Sequence, residues 1–165
     1  MKSVRERQVT VYGTHWCPLS RQVKAWLDNH HVLYGEVDVE HDAAAARQVE
    51  SWNDGYRSVP TITARLIVTE PPDADLERIL LKSRAHLMAC TVYMTSWCPD
   101  CRRTLAWLKA QGIPFVAVDI DSDVQAAKRV QAWNRGFRSV PTLDLSLRLT
   151  EPSMEQVEAM LGLGE

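Results

Sequence analysis

The segment Ser96-Trp97-Cys98-Pro99-Asp100-Cys101 sets two thiols two residues apart, behind a tryptophan and around a proline. Cysteines at that spacing can hold a metal, staple a loop or exchange electrons with a disulfide. Zinc takes about four ligands, and beyond this pair the sequence nearby offers only His86. A purely structural pair has no need of Trp-Cys-Pro at a helix start. Disulfide exchange does, because the thiolate is the nucleophile and an unperturbed thiol, with a pKa of about 8.5, is mostly protonated at neutral pH. Pro99 suits the first position of a helix. The Cys98 sulfur is therefore expected among the free N–H groups at the helix N-terminus, where negative charge is stabilised. Cys101 lies one turn further in, within reach of a disulfide. That division makes Cys98 the attacking thiol and Cys101 the resolving one.

The same pattern occurs earlier with one change: His15-Trp16-Cys17-Pro18-Leu19-Ser20 has serine in place of the second cysteine. Sliding the chain against itself by 81 residues aligns Thr10–Pro71 with Thr91–Pro152 without a gap, at 29 identities in 62 pairs. The six tryptophans form three repeated pairs, and Gly55-Tyr56-Arg57-Ser58-Val59-Pro60-Thr61 repeats as Gly136-Phe137-Arg138-Ser139-Val140-Pro141-Thr142. Self-similarity on this scale means duplication of a whole domain, with domains expected at 1–84 and 85–165. Each Val-Pro bond precedes a predicted strand and is a candidate cis peptide, since cis bonds are mostly an X-Pro feature. A cis Pro141 would leave the backbone of Val140 free to pair with a substrate chain lying over Cys98. The alternative is an ordinary trans proline at the first residue of a strand.

These residues need elements to position them. In each repeat a β-branched run (8–12, 89–93) leads to the Cys motif, and a segment with helical apolar spacing follows. A buried strand comes next, then a helix opened by Asp42 or Asp123 as N-cap, with Gly55 or Gly136 where a C-cap belongs. After the Val-Pro bond, alternating stretches precede a last helix starting near Pro71 or Pro152. The order β-α-β-α-β-β-α describes an α/β domain whose first two strands are parallel. Residues 82–89 read as a short linker.

Composition narrows the function. The formal charge is −2, from 19 basic and 21 acidic residues, and neither half is a basic nucleic-acid module. No apolar run approaches the roughly 18 residues of a membrane span, and no signal-peptide pattern follows Met1. Four cysteines are too few for a secreted disulfide framework. The expectation is a cytoplasmic monomer with neither nucleic acid nor membrane as partner.

The strand leading to Trp-Cys-Pro-Asp-Cys, the Gly-Phe-Arg-Ser-Val-Pro-Thr segment and the Leu-Thr-Glu-Pro-Ser approach to the last helix together resemble the glutaredoxin branch of the thioredoxin fold. The likeness is to the actinobacterial mycoredoxins especially, and it extends over residues 8–82 and 89–163. It implies two tandem thioredoxin-fold domains, the first monothiol-type and the second dithiol-type. It further implies a thiol-disulfide oxidoreductase with Cys98 as nucleophile, Cys101 as resolving thiol, Cys17 as a monothiol site, and Pro141 and Pro60 as cis-prolines. No tightly bound cofactor or metal is implied. The implied partners are a low-molecular-weight thiol (glutathione, mycothiol or bacillithiol), disulfide-bearing protein substrates and a disulfide reductase.

Within the site, the resemblance makes Val140 and Thr142, with Val59 and Thr61 in the first repeat, the groove for the thiol, and Arg138 and Arg57 its carboxylate contacts. Trp97 would shield the sulfur or stack on a substrate, Pro99 starts the helix, and His15 is a candidate to stabilise Cys17. Trp107, Trp133 and Cys90 read as packing residues. Electrons could pass from Cys98 and Cys101 to an adduct on Cys17. Alternatively the chain is a redox-switched binding module, or an iron–sulfur carrier like monothiol glutaredoxins with Cys-Gly-Phe-Ser, although Pro18 and Leu19 replace the Gly-Phe pair here. Cys-Pro-Leu-Ser-Arg also resembles the start of arsenate reductase-like proteins, but Arg-Ser-Val-Pro-Thr follows too soon for that family's inserted helices. Glutaredoxins usually turn a hairpin after the Val-Pro-Thr segment, whereas 61–71 and 142–152 contain no glycine. Leu143, Leu145, Leu147 and Leu149 alternate as one continuous strand would.

Overall fold

The computed structural model describes residues 2–164. The first repeat runs β1 (Val4–Gly13), α1 (Pro18–Asn29), β2 (Tyr34–Asp38), α2 (Ala43–Trp52), β3 (Thr61–Thr69) and α3 (Asp73–Glu77), which continues into a π-helical turn, Arg78–Lys82. The second runs β4 (His86–Met94), α4 (Pro99–Ala110), β5 (Val116–Asp119), α5 (Val124–Trp133), β6 (Thr142–Thr150) and α6 (Met154–Met160). Asp42 and Asp123 cap α2 and α5 as expected, their carboxylates accepting from Ala45 N and Ala126 N. Gly55 and Gly136, at φ +91° and +89°, close those helices by donating to Glu50 O and Gln131 O. The linker is shorter than the sequence suggests: residues 86–89 belong to β4, leaving only Ser83, Arg84 and Ala85 between elements.

All six strands form one sheet in the order β2-β1-β3-β6-β4-β5. β1 and β2, and likewise β4 and β5, are parallel. The second strand that each repeat was expected to fold back after its Val-Pro-Thr segment does not form. With no glycine to turn a hairpin, each stretch stays extended for nine residues. Its free edge is paired by the other repeat, Thr61↔Thr150 through Thr69↔Thr142. The equivalent residues Arg65 and Ser146 face each other at the centre, so the pairing is symmetric about that point.

Strand alternation decides the layers. One face of β3 and β6 carries Ile62, Ala64, Leu66, Val68 and Leu143, Leu145, Leu147, Leu149, all buried in a core shared with α1, α4, α6 and the α3 segment. The other face holds two smaller clusters, one under α2 and one under α5. Between these, Arg65 makes a bidentate pair with Asp144 at 2.9 and 2.7 Å. Polar contacts tie the repeats at both ends of the central pair. Thr69 Oγ1 donates to Asn134 Oδ1 at 2.8 Å, and Thr150 Oγ1 to Asn53 Oδ1 at 2.7 Å. Among the described residues no helix is long and apolar enough to cross a membrane.

Candidate functional site

β4 delivers Cys98 to the N-cap of α4, with Pro99 at the first helical turn. Its sulfur accepts from Cys101 N at 3.1 Å and lies 3.8 Å from Val140 O, beside the cis Val140–Pro141 bond. Cys98 is 6% exposed and Cys101 0%, so an incoming disulfide meets Cys98 first. Burial, followed by the hydrogen bond with Cys98, pushes the Cys101 thiol up to about 12. Cys101 thus rests as the thiol at neutral pH. Trp97 is exposed, and its Nε1 donates to Asp121 Oδ2 at 3.0 Å. The indole is thereby tied to the turn after β5 rather than packed in the core.

The first repeat builds the same frame around Cys17, the N-cap of α1, with Val59–Pro60 cis and Val59 O 4.0 Å from the sulfur. Ser20 stands where Cys101 does, and its N–H reaches Cys17 Sγ at 3.5 Å. The Ser20 hydroxyl is fully buried, and it acts on the Cys17 sulfur. Burial raises the Cys17 thiol. The Ser20 hydroxyl and N–H, the Leu19 N–H and the Arg21 charge outweigh that and hold it below its ordinary value. Arg21 does what the sequence suggested for His15. Its Nη1 donates to His15 O and Trp16 O, whereas the His15 imidazole is exposed and its charge acts on Asp38.

The glutaredoxin family profile matches residues 9–65 and again 90–145, each span running from the strand before the cysteine through the cis-proline. The chain belongs to the glutaredoxin family. It is 44% identical over 54 residues to a protein of Mycobacterium tuberculosis named as a glutaredoxin, an overlap of 33% of this chain and 64% of that one. It is also 44% identical over 54 residues to Mycoredoxin 1 of Corynebacterium glutamicum, covering 66% of that protein. A protein of Synechocystis named as a glutaredoxin is 40% identical over 52 residues, covering 59% of its length. The chain thus spans a little under two thirds of the relatives it matches.

This glutaredoxin treats its other predicted site residues unevenly. The carbonyls of Val140 and Val59 lie beside the sulfurs. Thr142 and Thr61 are fully buried, their hydroxyls donating to Ser139 O and Ser58 O, so their side chains do not line a groove. Arg138 is already engaged by Asp121 Oδ1 and Ile120 O, and Arg57 by Glu50. Cys90 is a buried core residue whose thiol burial pushes up to about 12, away from either site. His86, the one histidine considered as a metal ligand with Cys98, begins the strand that Cys98 follows and lies at its far end.

Two features escape sequence reasoning. Each cis-proline carbonyl accepts a backbone hydrogen bond from the opposite repeat, Glu70 N to Pro141 O and Glu151 N to Pro60 O, both 2.8 Å. Arg103 on α4 likewise reaches Asp73 and Pro71 O of the first repeat. The two sites also lie at opposite ends of the sheet. Cys17 is beside the start of β3 and Cys98 beside the start of β6, and those starts are eight residues apart in register, about 27 Å at the usual rise of a strand.

Proposed function

We propose that this glutaredoxin is a cytoplasmic, monomeric thiol-disulfide oxidoreductase with a dithiol site at Cys98 and Cys101 and a monothiol site at Cys17, in domains 1–84 and 85–165. The observation that carries this reading is the pairing of an N-cap sulfur, held by the Cys101 N–H beside a cis-proline, with a fully buried partner thiol three residues on. Cys98 attacks a substrate disulfide and expels one substrate thiolate. Cys101 then gives up its proton and attacks Cys98 in the mixed disulfide, releasing the second substrate thiol and leaving a Cys98–Cys101 disulfide. Two equivalents of a low-molecular-weight thiol, or a disulfide reductase, return the two electrons. Cys17 takes the small thiol from a mixed disulfide, and because Ser20 cannot displace the adduct, a further thiol must. The similarity to Mycoredoxin 1 favours mycothiol over glutathione and bacillithiol.

The test is intact mass spectrometry after mild oxidation with the disulfide of each thiol, followed by peptide mapping. The expected result is an internal Cys98–Cys101 disulfide with one small-thiol adduct on Cys17, formed best with mycothiol disulfide. Cys98 and Cys101 remaining reduced and unmodified would overturn the reading in favour of a binding module.

A further inference from the structure

We propose that the groove between the start of β1 and the α5–β6 loop docks an acidic stretch of the polypeptide whose disulfide Cys98 reduces; this rests on the dithiol reading above. The groove has a volume of about 460 Å³ and is lined by Arg5, Trp133, Arg135, Phe137 and Ser139 among others. Ser139 leads directly into Val140, whose carbonyl lies 3.8 Å from the Cys98 sulfur, so one wall of the groove ends a residue away from the reacting atom. Phe137 is 69% exposed and offers an apolar surface beside the two guanidinium groups.

The charge of the groove is unmatched. Arg5 sits at an irregularity in the β1–β3 register between Val4 and Glu6, the kind of bulge that re-aims a side chain. Its Nε donates to Asn134 Oδ1 and its Nη1 to Lys2 O, which orients the group and leaves Nη2 for a ligand. No carboxylate among the described residues pairs with Arg5 or Arg135. Asp121 is paired with Arg138 and Asp73 with Arg103, while Asp75 accepts from the Ser3 hydroxyl and keeps its charge. Glu70 remains on this rim, but Glu151 holds the same place at the other site. Guanidinium groups in a fixed frame recognise carboxylates bidentately, which selects glutamate or aspartate side chains.

The duplicated scaffold supplies an internal control. At the Cys17 end the equivalents of Arg135 and Phe137 are Asp54 and Tyr56, while Arg5, the bulged residue of β1, has no register equivalent on β4, where His86 pairs with Arg148 as Glu6 pairs with Ile67. An acid thus stands where Arg135 does, which disfavours an acidic chain at the monothiol site.

The experiment uses the pre-reduced full chain and two peptides of equal length with the same intramolecular disulfide, flanked by glutamates in one and lysines in the other. Hydroxyethyl disulfide serves as an uncharged reference. Formation of the Cys98–Cys101 disulfide is followed by quenched-flow mass spectrometry. At low ionic strength the glutamate peptide should react about tenfold faster than the lysine peptide, as charge-matched encounters do. Added salt should shrink the ratio, and Arg5→Gln with Arg135→Gln should bring it near one. Equal rates for both peptides with the unaltered protein at low salt would overturn the groove. Failure of hydroxyethyl disulfide to oxidise the Cys98 pair would instead overturn the dithiol reading beneath it.

Discussion

At the residue scale, the two sites differ by what stands one turn behind the nucleophile. Cys17 is held below the ordinary thiol range because hydrogen bonds from Ser20 and Leu19 and the Arg21 charge outweigh its burial. The rate of Cys17 alkylation by iodoacetamide should therefore rise with pH through an inflection below that of a free cysteine. Arg21→Gln should move the inflection upward, because losing a cation destabilises the thiolate while leaving the thiol unaffected. An unchanged inflection would remove Arg21 from the site. Ser20 has its place because Gly13 carries no side chain: a Cβ there would stand 2.7 Å from Ser20 Oγ. Ser20→Cys should accordingly give Cys17 a resolving thiol. Mild oxidation would then cost the first repeat two hydrogens by mass instead of adding a small thiol, and a persistent adduct would show the second position unable to reach the first. The cysteines, the cis-prolines and the serine substitution were all legible in sequence because they act through local spacing. Arg21 was not, since its effect depends on how the helix start turns the guanidinium. Nor was the loss of Arg138 to Asp121, a partner supplied by the turn after β5.

At the element scale, the missing hairpin is the central finding. Its absence could be read from the glycine-free alternation at 142–150, but its consequence could not, because strand pairing across 81 residues leaves no local mark. Once each long strand borrows its partner from the other repeat, the strand ends must be registered. The asparagines at the ends of α2 and α5 do this. Asn134 accepts from Thr69 and donates to Val130 O and Thr142 Oγ1, and Thr69 and Thr142 are 1% and 0% exposed. Asn134→Ala leaves these buried hydroxyls short of a partner and should lower unfolding stability by about 1–3 kcal/mol, measured by urea denaturation. Thr69→Val on top of it should cost less than on the wild-type background, since the two share one interaction. Strict additivity would show that the clamp contributes nothing across the repeats.

At the scale of the whole molecule, the antiparallel pairing of β3 with β6 settles whether the two sites can work on each other. Duplication suggests cooperation, and sequence alone permits a relay from Cys98 and Cys101 to an adduct on Cys17. The register instead sends the sites to opposite ends of the sheet, about 27 Å apart by strand rise, whereas a disulfide requires Cα atoms closer than about 7 Å. No rotation about a linker closes that gap, because Ser83, Arg84 and Ala85 join elements locked into one sheet. Exchange between Cys17 and Cys98 must therefore pass between two molecules or through a free thiol. This can be measured by loading Cys17 with a small-thiol adduct, reducing Cys98 and Cys101, and following loss of the adduct in buffer without free thiol. The initial rate per molecule should double when protein concentration doubles, as a bimolecular step requires, and should vanish on dilution. A rate independent of concentration would mean that Cys98 reaches Cys17 within one chain, which the paired strands forbid, and the six-stranded sheet would then not be the form that turns over.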